Sequence, residues 1–597
     1  MQPTIEILER MYQNSKSNKD EIFTRVYRYL QRPDLYFLAY KNLYANNGAA
    51  TPGVDNDTAD GFSEEKIALI IKALADGTYA PKPVRRTYIK KKQSNKMRPL
   101  GLPTFTDKLV QEVLRMVLEA IYEPIFCETS HGFRPKRSCH TALGDIKKGF
   151  NGVRWFVEGD IKGCFDSIDH NVLIGLIEKK IKDTRLLQLI RKFLKAGYME
   201  NWRYNTTHSG TPQGGIVSPI LANIYLHELD KFVEELKAKF NKPQRKACYT
   251  PEYERLTQRV LYWKRKAKLA EEPERTAFIE KYNSLRAELL STPSKRQTDK
   301  KIKYVRYADD FLIGVNGAKA DCEWLKSELR AFIGNTLKME LSEEKTLITH
   351  SSQKARFLGY DVRIRRNGEI KRDKNGVTKR SLSQTVELLI PLKDKIERFM
   401  FDKGVIIQKD GKFRYAARPM LTQVTEQEIV TAYNSELRGI CNYYRLACNY
   451  HDLCYFAYLM EYSCLKTLAA KHKTSTAKII HSHQDGRGKW CITQKTEKGE
   501  KRLYFARYQD CRKSMAYSDS LREDALYFTR KKTSFEVGLK AKVCEMCGTA
   551  EAAHYEIHHV KKVKDLEGKL PWEKYLIARN RKTMVVCRNC HKEIHRQ

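Results

Sequence analysis

Apolar and polar positions change rhythm several times along the chain. Val305, Tyr307, Phe311 and Ile313 alternate on either side of Ala308-Asp309-Asp310, which predicts two strands joined by a tight turn. Strand character returns at Phe357–Ile364, and an apolar strand precedes Asp160. Between about 241 and 303 the period lengthens. Leu256, Val260 and Trp263 recur at helical spacing, as do Phe278, Tyr282, Leu285 and Leu289. Pro273 separates the two runs, so this stretch predicts an αα-hairpin insertion. Thr51-Pro52-Gly53 and Pro81-Lys82-Pro83 mark turns in a mixed α/β N-terminal part, and the Gly- and Lys-rich 366–378 predicts a hairpin or linker. From about 380 to 480 the pattern is helical, with Leu437, Ile440, Tyr444 and Ala447 on one face.

Length and charge narrow the class. A chain of 597 residues with 41% hydrophobic positions predicts several globular domains. Lys and Arg number 110 against 72 Asp and Glu, a formal charge of +38. That excess favours a polyanionic partner, nucleic acid before any small acidic substrate. No run approaches the roughly 18 apolar residues of a membrane span, and the N-terminal MQPTIEILERMYQ lacks a secretory pattern. These two absences point to a cytoplasmic location, with an organellar origin left open. Most of the 15 cysteines are scattered singly, as in a reducing compartment.

Adjacent carboxylates at a hairpin tip repel. At an effective dielectric of about 20, two charges about 4 Å apart cost on the order of 4 kcal/mol. Divalent ions relieve that cost, and two-metal phosphoryl transfer is the chemistry that uses them. Arg154-Trp-Phe-Val-Glu-Gly-Asp-Ile-Lys-Gly-Cys-Phe-Asp-Ser-Ile168 supplies a third carboxylate, Asp160. This segment and Tyr307-Ala-Asp-Asp310 resemble motifs A and C of reverse transcriptases.

The resemblance implies catalytic Asp160, Asp309 and Asp310 holding two Mg²⁺, assisted by the Ile161 carbonyl. Asp166 and Asp169 are then cap or turn residues. Phe165 falls at the family's steric gate, a position a core aromatic could equally fill. Arg98-Pro-Leu-Gly-Leu-Pro103, His131-Gly-Phe-Arg-Pro135, Gly210-Thr-Pro-Gln-Gly-Gly-Ile-Val-Ser-Pro219, Leu341-Ser-Glu-Glu-Lys-Thr-Leu-Ile-Thr-His350 and Phe357-Leu-Gly-Tyr360 match further blocks in order. They imply Gln213 at the incoming nucleotide and template, with glycines admitting the backbone to the base pair. Lys345 would help pyrophosphate leave. Arg85 and Lys91 would hold the triphosphate, with a surface charge run as the competing reading.

Tyr433-Asn-Ser-Glu-Leu-Arg-Gly-Ile-Cys-Asn-Tyr-Tyr-Arg445 resembles domain X of group II intron maturases, which implies a thumb that also grips intron RNA. Arg438, Tyr443 and Arg445 are the candidate RNA contacts, with Tyr444 packed inside.

Cys544-Glu-Met-Cys547 and Cys587-Arg-Asn-Cys590 have the spacing of a tetrahedral zinc site. Glu556-Ile-His-His559 and Cys590-His-Lys-Glu-Ile-His595 make the module resemble the HNH, or ββα-metal, nucleases. By that resemblance His559 is the general base, and His558, His591 and His595 hold a divalent ion, Mg²⁺. The family's middle Asn would fall at Lys582, with Asn580 nearby, so the group orienting His559 is open.

The expected fold is multidomain, α/β and α. Residues 1–375 form right-hand polymerase fingers and a ferredoxin-like palm, 376–480 a helical thumb or domain X, 481–535 a basic DNA-binding connector, and 536–597 the HNH module. The implied partners are group II intron RNA, target DNA and deoxynucleoside triphosphates, with no membrane. Rival readings are a domesticated reverse transcriptase–nuclease used in defence, and a splicing cofactor that has lost its enzymes.

Overall fold

The computed structural model describes the chain except residues 1–3, 91–96, 202, 208, 212–213, 242–248, 293, 295–299, 367–369, 373–375, 377, 381–383, 497–498, 514–533 and 597. At its centre is a four-stranded antiparallel sheet in the order Ile348–His350, Trp155–Gly159, Asp310–Asn316, Lys301–Tyr307. Alternation along these strands sends side chains to two different cores. Val157, Tyr304, Phe311, Ile313 and Val315 join the N-terminal helices. Phe156, Val305 and Leu312 join the helical domain behind. The sheet is therefore buried on both faces, and only its end is free for chemistry.

On the first face lie the helices Phe105–Tyr122 and Ser218–Phe240. The first is capped by Thr104, whose side chain accepts from Asp107 N, and Leu109, Val113, Val117 and Ile121 are fully buried along it. A second sheet pairs the hairpin Val84–Lys90 and Met97–Leu102 with Tyr198–Glu200 and Arg203–Asn205. The predicted insertion forms two helices, Pro251–Leu269 and Glu274–Ser291, with a small core of Leu256, Val260 and Leu285 of their own. Its ends meet, since Thr250 N donates to Ser294 O at 3.1 Å.

The helical domain is built on Glu426–Tyr443, opened by a Thr425–Glu428 capping box, and on Leu453–Lys471. The boundary expected near 480 is not a break. The hairpin Cys491–Thr496 with Gly499–Tyr504 is fastened to it, Asn434 Nδ2 donating to Tyr504 O at 2.8 Å and Ala506 N to Asn434 Oδ1 at 2.7 Å. Ile492 and Cys511 are buried in the same core. These apolar positions alternate with basic ones, which is why composition alone read the stretch as a connector.

The C-terminal module consists of the helix Ser534–Ala541, the hairpin Tyr555–His559 and Thr583–Cys587, and the helices Pro571–Ala578 and Arg588–Arg596. It is not a separate body. Phe62–Ser63 adds a third strand to its hairpin, with Phe62 opposite Ile557, and Phe535 and Leu539 lie in one core with Tyr40 and Phe105. Among the described residues no helix is long and apolar enough to cross a membrane.

Candidate active sites

The antiparallel register places Phe311 opposite Gly159 and Asp310 opposite Tyr307. Asp160 thus emerges beside the Asp309-Asp310 turn. The turn itself has Ala308 at φ +56° and is held from beneath. Arg306, fully buried, donates to both oxygens of buried Asp230 at 2.7 and 2.6 Å, and to the Ala308 carbonyl at 2.8 Å. Gly132 passes so close that a Cβ there would lie 2.2 Å from Ala308 N. The block His131–Pro135 is therefore part of the floor of the turn.

Desolvation, then the Asp309 and Asp160 charges, push the Asp310 carboxyl up to about 7, and desolvation likewise raises Asp309. Three carboxylates kept this close fit a site that binds divalent cations. Ser342 N donates to Asp160 O at 2.9 Å, and Ile161, itself buried, bridges to Leu341. This brings Lys345 over the site, its Nζ 2.5 Å from Asp160 Oδ2.

Phe165 is half-buried, its ring edge-on to exposed Phe133 at 6.1 Å. Gly210, at φ +85°, packs where a Cβ would meet Asp166 Cα at 2.8 Å, and Thr211 N donates to Phe165 O at 2.7 Å. A cleft of about 310 Å³ opens beside them, lined by Val84, Arg86, Gly101 and Thr211. Arg85 turns aside from that cleft and donates to Pro52 O at 2.9 Å. Lys91 and Gln213 lie outside the described residues. Asp169 caps the next helix, accepting from Asn171 N and Val172 N.

In the helical domain Tyr444 is buried, and Tyr443 donates its hydroxyl to Leu358 O at 2.6 Å while its carbonyl accepts from His140 and Tyr360. Tyr443 therefore ties this domain to the sheet below it. Arg438 is exposed and lines a cleft of about 1160 Å³ together with Tyr458, Arg487, Lys489 and Arg502, and Arg445 is half-buried.

At the other end of the molecule, the sulfurs of Cys544, Cys547, Cys587 and Cys590 all lie within 4.8 Å of one another. Four thiolates about 2.3 Å from one tetrahedral ion would be about 3.8 Å apart, so the set fits such an ion. A second cluster joins His558, His591 and His595 with Asp60, again within 4.8 Å. Nε2 of buried His558 makes no hydrogen bond, and its Nδ1 has only an Asp60 oxygen beside it. His591 Nδ1 meets Glu556 Oε2 at 2.6 Å, which aims its other nitrogen at the cluster. His559 Nε2 donates to Tyr44 O at 2.9 Å, and burial holds its pKa low. Asn580, at φ +47°, follows the helix C-cap Arg579, and Lys582 gives its carbonyl to Val560 N and its Nζ to Ala45 O at 3.3 Å, so neither is hydrogen-bonded to the His559 ring.

Three family descriptions match the chain in order. "Reverse transcriptase (RNA-dependent DNA polymerase)" covers 89–249 and 281–362, "Type II intron maturase" 383–497, and "AI2M/AI1M-like, HNH endonuclease" 544–591. The group II intron-encoded protein LtrA of Lactococcus lactis subsp. cremoris is 58% identical over 598 residues, which is 100% of this chain and 99% of that protein. This chain belongs to the group II intron-encoded proteins. The resemblance reaches eukaryotic relatives. An uncharacterized 91 kDa protein in the cob intron of Schizosaccharomyces pombe is 34% identical over 98% of this chain and 72% of its own length. A putative COX1/OXI3 intron 1 protein of Saccharomyces cerevisiae is 32% identical over 97% and 70%.

The group II intron-encoded protein is thus multifunctional, with a reverse transcriptase, an intron maturase and an HNH endonuclease in one chain. Sequence reasoning passed over three of its residues. Arg98, in a block already noted, acts electrostatically on Asp309. Arg306 reads as the odd residue of a strand. Asp60 lies 499 positions from His559, whose N–H it accepts, and its turn-rich surroundings carry no local sign of the nuclease.

Proposed function

We propose that this protein binds its own group II intron RNA, assists its splicing, and then copies the intron into DNA from a 3′ end freed by its nuclease. Support comes above all from the meeting of Asp160, Asp309 and Asp310 at the free end of the central sheet, in a chain alike to an intron-encoded protein along its whole length. In this reading the central sheet is the palm, the hairpin Val84–Leu102 belongs to the fingers, and residues 376–480 act as thumb and RNA grip.

Two Mg²⁺ ions held by Asp160, Asp309 and Asp310, with the Ile161 carbonyl, would supply activation of the primer 3′-hydroxyl and charge neutralisation on the pyrophosphate. The side chains do the rest. Lys345, paired with Asp160 at the edge of the site, is placed to neutralise the leaving pyrophosphate. Phe165 crowds the sugar 2′ position, and Gln213 meets the base pair. Lys91 and Arg98 supply positive charge to the triphosphate, with Arg85 reaching it only by leaving Pro52. Arg438 and Arg445 contact intron phosphates, and Tyr443 holds the thumb at the angle they need.

In the nuclease, His559 takes the proton from the attacking water, and His558, His591 and His595 hold the divalent ion. The Cys544, Cys547, Cys587 and Cys590 thiolates hold a structural Zn²⁺. The protein is expected in the cytoplasm, at the nucleoid while target DNA is engaged.

Primer extension on an RNA template tests the polymerase. Asp309→Ala is expected to abolish synthesis, and a wild type that does not extend would sink the reading. RNA retained after a high-salt wash tests the partnership. One long RNA containing this reading frame is expected, and a random population would refute it.

A further inference from the structure

Residues 44–63 reach into the nuclease from the N-terminal body. Phe62–Ser63 pairs with Ile557 and Glu556, and Gly61 N donates to Ile557 O at 3.0 Å. This is strand addition to a sheet edge, in which the main chain fixes position. The strand is anchored on both sides. Phe62 is fully buried and stacked on Tyr40 with centroids 4.1 Å apart, and Ser63 caps the following helix by accepting from Lys66 N. Asp60 is therefore placed by rigid elements.

Its carboxylate faces three imidazoles at once. Asp60 Oδ2 is 2.7 Å from His595 Nε2 and 3.2 Å from His591 Nε2, and Oδ1 is 3.3 Å from His558 Nδ1. His591 Nε2 and His595 Nε2 face each other at 3.2 Å. His558 is 5% exposed, yet its Nε2 makes no hydrogen bond and its Nδ1 has only the Asp60 oxygen beside it. Two buried imidazoles and an exposed one, His595, with converging nitrogens and a carboxylate among them form the donor set of a cation site. The same segment answers the open question of the base. Tyr44 O accepts from His559 Nε2, which leaves Nδ1 as the nitrogen with a lone pair.

We propose that the nuclease centre is composite: Asp60, carried by the polymerase body, is a fourth protein ligand of the ion held by His558, His591 and His595, and the Tyr44 carbonyl orients His559. This rests on the reading of those histidines as ion ligands. Three imidazoles and one carboxylate suit a first-row transition ion such as Co²⁺ or Zn²⁺ better than Mg²⁺, which prefers oxygen. Four protein ligands also fill a tetrahedral ion. A scissile phosphate then enters as a fifth ligand or by displacing Asp60.

The test is Co²⁺ titration of the full-length protein with its four-cysteine site kept loaded with zinc, followed by visible absorption. The wild type is expected to bind one Co²⁺ at a nitrogen and oxygen site. His558→Ala should lose it, and Asp60→Asn should bind at least about tenfold more weakly. Asp60→Asn binding like the wild type, while His558→Ala has lost the ion, overturns the composite centre alone. Unchanged binding in both variants overturns the histidine assignment, and the composite centre with it. Asp60→Cys guards against a variant that merely unfolds, because it reads a gain. A thiolate-to-cobalt charge-transfer band should appear, and Co²⁺ bound without that band overturns the proposal.

Discussion

Gly132 has no room for a side chain, because Ala308 N occupies the space. Gly132→Ala must therefore push the Asp309-Asp310 turn away from Asp160. A displacement near 1 Å at reacting groups costs on the order of 10²-fold in rate, and primer extension should fall by about that much while the protein stays folded. The ion pair beneath the turn answers differently. Asp230→Ala strands buried Arg306, at a cost of roughly 3–5 kcal/mol, to be seen as a lower urea midpoint. His227 gives a pH signature. Burial holds its imidazole down at about 4, with Lys231 and Arg306 also lowering it and Asp230 and Glu228 opposing. Its folded pKa lies below the ordinary 6.5, so this stability is present above that value and is lost as pH falls toward 4. Between pH 7 and pH 5 the wild type should lose about 2 kcal/mol more than His227→Gln.

At the scale of elements, what repeats locally was legible. The strands around Asp309, the two helices of the insertion and the face bearing Leu437 and Tyr444 all follow from residue period. The seams were not, because they depend on partners far apart in sequence. Ile492 and Cys511 look like stray apolar positions in a basic stretch until Asn434 fastens their hairpin to the helical domain. Asp60 sits among turn-forming residues and reads as loop. The insertion follows its own pattern to the end. Its core is separate and its ends adjoin, so replacing 251–291 by a short Gly-Ser linker should move the unfolding midpoint by no more than about 2 °C. Arg255, Arg259, Lys264 and Arg265 are exposed on it, so the same deletion should weaken RNA binding and flatten its dependence on salt.

For the whole molecule, the nuclease and polymerase share a core through Tyr40, Phe62, Phe105 and Phe535. Removing residues 534–597 uncovers several of these, and each large apolar side chain exposed costs roughly 1.5–3 kcal/mol. The truncated protein should unfold at a lower temperature than the full chain by differential scanning fluorimetry, and should aggregate more readily. Phe62→Ser in that truncation is expected to recover part of the solubility by removing the exposed ring. The added strand Phe62–Ser63 thus bears on how such genes can change. A stop codon before the module does not yield a clean polymerase, since it leaves an open strand edge and an aromatic patch behind. Losing the nuclease takes two events, a deletion and a repair of the seam. Exchanging it between two such proteins requires that residues 44–63 travel with it.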